Sequence, residues 1–524
     1  MKLKVKCLPE KVHINYGNNI GEMIIMWTTP DDCSTIVRFD TSPWNFQYQA
    51  SGSSLNIEQI NQSSAKYIHR VILQNLEGDK TYFYRPISND VSTGPFYFKT
   101  KPITKDWIPK FLIHSTINTD ILSYINNQVL TGDITALFST HNYNYDNQNI
   151  KYNDEIVKMV EGITTKIPYL LSPSNQEKLS DIFTEYRHEF SMPGTDWPIP
   201  MNKLWYSIDI GPIHFISYST EVFFTSNKNY RQEQRDWLIA DLKQANTKRT
   251  ERPWVIALGH RPMYCTNITN SDCSTTDSTV RAGFEDIFYT YGVDIVLQSH
   301  EPLYERLWPT YKDVVLSDNY TNPMAPIQIT VGPTVDTNID NNDNNTEEWS
   351  AFHLTNGTKS IGSLQVINET HIQYDQITAD SKVLDTFWIV QENHGPFQRE
   401  KLPEKVEEKI EETIKKNGEK PVYADKNTEN EKDNLYETDK HQRIYIGVAF
   451  GCLFVVIVVF IVVIRSCRRK QRTSRRWESM DFNYTKKFYS TPKANGSSKM
   501  IDDDTDFEID MTDGNLATTK LLDD

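Results

Sequence analysis

Two apolar runs, Trp254 to Leu258 and residues 293–297, each stop at a turn that carries a histidine. The first continues as ALGHRPMYC and places His260; the second continues as LQSHEPLYERLWP and places His300. Short runs without polar interruption read as strands buried on both faces. In α/β proteins reactive groups sit in the crevice beyond the carboxyl ends of such strands. The middle of the chain is therefore expected to be layered α/β, with both histidines facing a crevice.

Around these runs the pattern alternates. Residues 111–113, 136–138, 168–171 and 294–297 read as further strands, residues 154–162 and 232–246 as helices, and residues 327–377 return to strands. The alternation implies a stacked αββα or a doubly wound sheet. Ahead of it, residues 8–100 show short strands of period two, with Met23, Ile25 and Trp27 on one face, separated by turn residues at the spacing of a small antiparallel β-sandwich. The segment LEGDKTYFYRP resembles the tyrosine corner of fibronectin type III-like domains, with Tyr82 at the corner. Such a sandwich is expected to have a core mostly of its own and to serve as a spacer, as a wall beside the cleft or as an adhesion module.

At 524 residues the chain is long enough for two or three folded units plus tails. A formal net charge of -15 leaves no basic footprint for nucleic acid. Residues 444–464 are uncharged and, at about 1.5 Å per residue, long enough for a hydrocarbon layer of roughly 30 Å. Seven arginines and lysines follow at once, from Arg465 to Arg476, and the positive-inside rule then predicts a single-pass type I protein of the plasma membrane or an endolysosomal membrane. Residues 1–7 lack the apolar stretch of a signal peptide, so they read as a remnant or truncated start. Residues 396–443 read as a charged stalk, with a helix over 403–418 as the alternative. Residues 465–524 read as a disordered cytoplasmic tail within reach of trafficking adaptors. Sequons at Asn61, Asn267, Asn319, Asn344, Asn356 and Asn368 suit a glycosylated ectodomain. Cys7 and Cys33 could pair or stay free.

The words around the histidines resemble those of the purple acid phosphatases, binuclear metallophosphoesterases with a fibronectin type III-like amino-terminal domain and a calcineurin-like catalytic domain. The resemblance spans most of residues 8–395 and implies an αββα phosphoesterase domain over 108–395. It also implies that Cys265 and Cys273, which bracket a short polar loop, form a disulfide. The family holds its metals with five strand-end words: GDxG, GDxxY, GNHE, a GHRP-like turn and a GHxH-like word. Here the first reads HSTIN, with Thr116 at the aspartate. The second reads FSTHNY, with Thr140 at the bridging aspartate and Tyr143 retained. The third reads PSNQEK, retaining Asn175 but with Gln176 at the family's substrate-facing histidine. The fourth keeps His260. The fifth keeps His300 and has Pro302 at the second histidine.

By that resemblance the first metal retains only Tyr143 as a ligand, and the second retains Asn175, His260 and His300, all neutral. Such a set offers at most one weakly held zinc or similar divalent ion. Loss of the bridging carboxylates removes both charge and geometry from a two-metal centre. His114 and His141 lie near the vacated positions as substitute ligands. Retained residues could equally serve packing alone. The expectation is a purple acid phosphatase-like membrane protein, a pseudophosphatase that binds an unidentified extracellular ligand or protein. An active acid phosphatase with an altered donor set, acting on extracellular or lysosomal phosphomonoesters, is the alternative.

Overall fold

In the computed structural model the apolar runs pair as neighbours: Ile256, Ala257 and Leu258 lie beside Ile295, Val296 and Leu297 in parallel register. The structure describes residues 7–57, 67–115, 119–140, 154–175, 183–266, 271–275, 277–301, 303–332, 347–354, 358–398 and 402–416.

The amino-terminal strands are β1 (Glu10–Tyr16), β2 (Met23–Thr29), β3 (Ile36–Asp40), β4 (Tyr48–Ser51), β5 (Ser53–Asn56), β6 (Tyr67–Leu73), β7 (Thr81–Ser88), β8 (Val91–Ser92) and β9 (Phe96–Lys99). They form two sheets, β1-β2-β6-β5 and β4-β3-β7-β8, with β9 also paired to β7. Tyr82 closes its corner by accepting a hydrogen bond from the Glu77 amide at 3.0 Å. A Cys7–Cys33 disulfide ties the start of the sandwich to the turn before β3.

Two further sheets follow. One takes β10 (Lys110–His114), β11 (Ala136–Ser139) and β12 (Tyr169–Leu171). The other takes β13 (Tyr206–Ile210), β14 (Ile213–Ser217), β15 (Trp254–Leu258), β16 (Ile295–Gln298), β17 (Tyr304–Leu307), β20 (Ile327–Thr330) and β21 (Ser350–Leu354). Between β17 and β20 lies a small hairpin of β18 (Thr310–Tyr311) and β19 (Val314–Val315). Strands β22 (Ser360–Val366), β23 (His371–Thr378) and β24 (Val383–Val390) return to the first sheet, in the order β12-β11-β10-β22-β23-β24. The inner faces meet through aromatic rings: Phe138 stacks on Phe215 with centroids 4.2 Å apart and on Phe111 at 4.5 Å. Helices α1 (Thr119–Leu130), α2 (Asp154–Thr164), α3 (Thr184–Glu189), α4 (Asn229–Asn246) and α5 (Thr279–Tyr291) belong to this layered part. Leu238 and Leu242 of α4, with Phe284 and Phe288 of α5, pack on Val255, Ala257 and Val296, which places a helical layer on the outer face of the second sheet.

Two expectations change. The sandwich does not keep its own core, because Val12, Ile14, Tyr16 and Trp27 belong to one buried cluster with Phe111, Leu137 and Tyr169. Buried polar groups cross the same boundary. The Asn15 side-chain amide donates to the Tyr169 carbonyl at 2.8 Å, and the Tyr84 hydroxyl donates to the Thr165 carbonyl at 2.8 Å. The stalk reading also fails over part of its length. Residues Glu404–Lys416 form helix α6, whose Ile410 and Ile414 are buried against Tyr289, Tyr311, Val314 and Leu316. A thin apolar stripe suffices here because the domain offers a matching apolar patch.

The membrane assignment is corrected as well. Among the described residues no helix is long and apolar enough to cross a membrane. The stretch 444–464 on which the single-pass type I reading rested lies outside the described residues, as does the tail 465–524. The plasma-membrane or endolysosomal placement is withdrawn.

One partly buried ion cluster makes the fold sensitive to pH. His214 on β14 lies between Asp209 at 2.8 Å and Asp241 at 2.9 Å. Burial works against its charge, but the hydrogen bonds and the charge of both carboxylates outweigh it and push the imidazole up to about 9. A histidine whose folded pKa is raised stabilises fully below its unfolded value of about 6.5 and loses that contribution as pH rises through the folded value. Thermal denaturation of wild type should therefore weaken between about pH 6.5 and pH 9 by on the order of 3 kcal/mol. His214→Gln should flatten that slope. For α6, Ile410→Ala should lower stability in urea by about 2–5 kcal/mol, whereas a free stalk would register no change.

Candidate functional site

Strands β11 and β12 of the first sheet and β15 and β16 of the second end on the same side of the two-sheet stack, and the residues beyond them meet there as the candidate site, Thr140 against Ser299 and Asn175 against His260. The GHRP turn leaves β15 tightly. A side chain at Gly259 would put its Cβ 2.3 Å from the Tyr218 ring, so only glycine fits this close approach. The turn is then fixed by Arg261, whose guanidinium meets the fully buried Glu221 through Nε at 2.7 Å and Nη2 at 3.2 Å. The same guanidinium lies over the Phe224 ring, 4.4 Å from its centroid. After β16 the backbone at His300 adopts φ 70°, in the left-handed region that non-glycine residues seldom occupy. This turns the imidazole toward His260, with ring centroids 5.1 Å apart and planes at 78°.

Asn175 sits between the two rings. Its Oδ1 lies 3.0 Å from His260 Nε2, and its Nδ2 lies 3.3 Å from His300 Nε2. On the far side of His300, Nδ1 is 2.8 Å from Glu301 Oε1, which also accepts a hydrogen bond from the Ser271 hydroxyl. Behind His260, Nδ1 is 3.3 Å from Ser299 Oγ, and Ser299 Oγ is hydrogen-bonded to Thr140 Oγ1. One tautomer for each ring, assigned by matching donors to acceptors, satisfies every link. Thr140 donates to Ser299, Ser299 to His260, His260 to the Asn175 oxygen, the Asn175 nitrogen to His300, and His300 to Glu301. Thr140 and Ser299 are almost fully buried, and Glu301 is 4 % exposed.

This arrangement does not fit a metal pair. The ring nitrogens that would face a metal are engaged with one amide, and Thr140, at the bridging position, is spent on another hydroxyl. Admitting a dication would break both amide links and strip a proton from His260 Nε2. Among the described residues no carboxylate bridges the rings to offset the charge. Among the described residues no group of three or more His, Cys, Asp and Glu side chains is arranged to hold a metal ion.

Of the other expected site residues, Thr116, His141, Tyr143, Gln176 and Pro302 lie outside the described residues. His114 ends β10 as a buried ring stacked on Tyr169, with centroids 5.9 Å apart, and its Nδ1 is 3.5 Å from Ser139 Oγ. Cys265 and Cys273 form the expected disulfide. Of the sequons, Asn319 and Asn368 are exposed on turns, and Asn61, Asn267, Asn344 and Asn356 lie outside the described residues. Sequence reasoning missed Ser299 and Glu301, the two neighbours of His300. A carboxylate directly after a strand-end histidine was the available signal for the second of them.

Family models match most of the chain: "Purple acid Phosphatase, N-terminal domain" over residues 9–100, "Calcineurin-like phosphoesterase" over 116–304, and "Iron/zinc purple acid phosphatase-like protein C" over 325–386. The chain is 34% identical over 419 residues to acid phosphatase type 7 of Danio rerio, covering 74% of this chain and 92% of that protein. It is 33% identical over 412 residues to the Homo sapiens protein of the same name, with the same coverage. A purple acid phosphatase from yellow lupin seeds shares the fold with a TM-score of 0.63 at 18% identity, over 74% of this chain and 75% of that one.

The amide bridge can be tested through stability. Asn175→Leu keeps the volume and removes both links, and it should cost about 1–3 kcal/mol in urea denaturation. Asn175→Asp should instead draw a proton onto the imidazoles, visible by NMR as a raised pKa for His260 or His300.

Proposed function

Because the chain belongs to the purple acid phosphatase family, we propose that it is a phosphatase-like protein that acts by binding, its strand-end centre no longer turning over phosphoesters. The observation that carries this reading is the Asn175 amide joined to both His260 and His300. Family chemistry needs two cations to polarise the phosphate and to make a hydroxide near neutral pH. Here threonines stand at Thr116 and Thr140 in place of the family's aspartates, and the surviving imidazoles are held by a neutral side chain. The terms removed together are metal capture, nucleophile formation and substrate positioning, which jointly supply many powers of ten in rate.

A second reading is an active phosphatase with an altered donor set, and Glu301 is the observation in its favour. Its buried carboxylate beside His300 supplies negative charge that the three retained ligands lack. Turning that carboxylate onto a metal would require giving up its bond to His300 and that from Ser271.

The experiment uses the full chain. Elemental analysis of the purified protein should find substoichiometric metal, and hydrolysis of para-nitrophenyl phosphate across acidic pH should not exceed that of His260→Ala. Two metal ions per chain, with turnover that His260→Ala abolishes, would establish the second reading instead.

A further inference from the structure

A groove of about 1000 Å³ opens on the amino-terminal sandwich, between the end of β3, strand β4 and the loop from β6 to β7. It shares no lining residue with the strand-end site. We propose that this groove binds an uncharged oligosaccharide.

The first argument is the chemistry of the wall. Four amide side chains, Gln47, Gln49, Gln74 and Asn75, line it. Among the described residues those of Gln47, Gln74 and Asn75 make no hydrogen bond to protein. A planar amide offers a donor and an acceptor side by side, which matches the vicinal hydroxyls of a sugar.

The second argument is aromatic. Tyr48 lines the groove at 38% exposure, its ring set 5.6 Å from that of Phe39. Outside the lining itself, on the loop between Thr41 and Gln47 of the groove wall, Trp44 is 90% exposed, the most exposed of the large apolar side chains described. An indole held almost wholly in water forfeits the burial that normally stabilises it and offers a flat face to a ligand with apolar C–H surfaces.

The third argument is preorganisation. The loop carrying Trp44 and Gln47 is pinned at both ends by Asp40, a buried carboxylate that accepts from the Ser42 amide at 3.2 Å and the Gln47 amide at 3.1 Å. The opposite loop, with Gln74 and Asn75, is pinned by the Leu76 amide bonding to the Gly21 carbonyl at 3.1 Å and by the Tyr82 corner. Rigid walls reduce the ordering cost of binding.

Charge selects the ligand class. Asp40 keeps its negative charge while it accepts from backbone amides, and Glu77 faces Lys80 at 3.8 Å, so the wall carries a net charge of about -1. That balance disfavours a phosphate ester or another anion, whereas a neutral polyhydroxyl chain needs no counter-ion. The volume suits several sugar units better than one.

The test is calorimetric titration of the full chain with maltopentaose, chitopentaose and mannopentaose, with glucose, N-acetylglucosamine and mannose as single-unit controls. At least one pentasaccharide should bind saturably, and its monosaccharide at least tenfold more weakly. Trp44→Ala and Gln74→Ala, both on exposed loops, should each weaken binding roughly tenfold while leaving the melting temperature unchanged. Failure of all three pentasaccharides to bind, or equal affinity in wild type and both variants, would overturn the proposal. Neither outcome bears on the metal content or turnover that tests the strand-end site.

Discussion

The pairing of β15 with β16 is the constraint on which the site depends. Leu258 opposite Leu297 in parallel register makes the two turns leave the sheet side by side, and the Ser299 amide then donates to the His260 carbonyl at 2.9 Å. With the turns joined in this way, His260 and His300 have little freedom to separate. What fills the space between them is decided by β12, because Asn175 arrives four residues after Leu171 at the same edge. The scaffold thus delivers an amide, two imidazoles and a threonine to one point whatever chemistry they retain.

A two-cation centre is an arrangement of charge before it is an arrangement of atoms. With Thr140 at that point, the polar groups around it must find partners among themselves or face a desolvation cost. The chain from Thr140 to Glu301 is the outcome, and it pairs each hydroxyl, imidazole and amide with neutral components except at its last carboxylate. Among the described residues the polar groups at this point are satisfied by one another.

Much of the layered architecture was readable from residues because its strands are uninterrupted apolar runs, and the positions of Asn175, His260 and His300 followed from the words that end them. The partners were less legible. Whether Ser299 and Glu301 face the site depends on the left-handed backbone at His300, which no residue pattern announces. Helix α6 was undervalued because three apolar residues among many charges look insufficient, and the surface that receives them comes from residues more than eighty positions earlier in the chain. The autonomy of the sandwich failed as an expectation for the same reason. Period-two alternation reports that a strand has a buried face, and says nothing about which domain buries it. The membrane placement rested on hydropathy over residues 444–464, which lie outside those the structure describes.

That shared burial has a consequence for how the molecule can change over evolutionary time. Asn15 reaches across to Tyr169 and Tyr84 to Thr165, so the two halves meet as parts of one interior. A recombination event that exchanged the first hundred residues for those of a distant relative would strand buried donors and acceptors on both sides of the seam. The sandwich is therefore inherited with its neighbour, and any recognition surface it carries has to arise by substitution on its outer loops, where Trp44 and Gln74 stand, without disturbing the face that is locked.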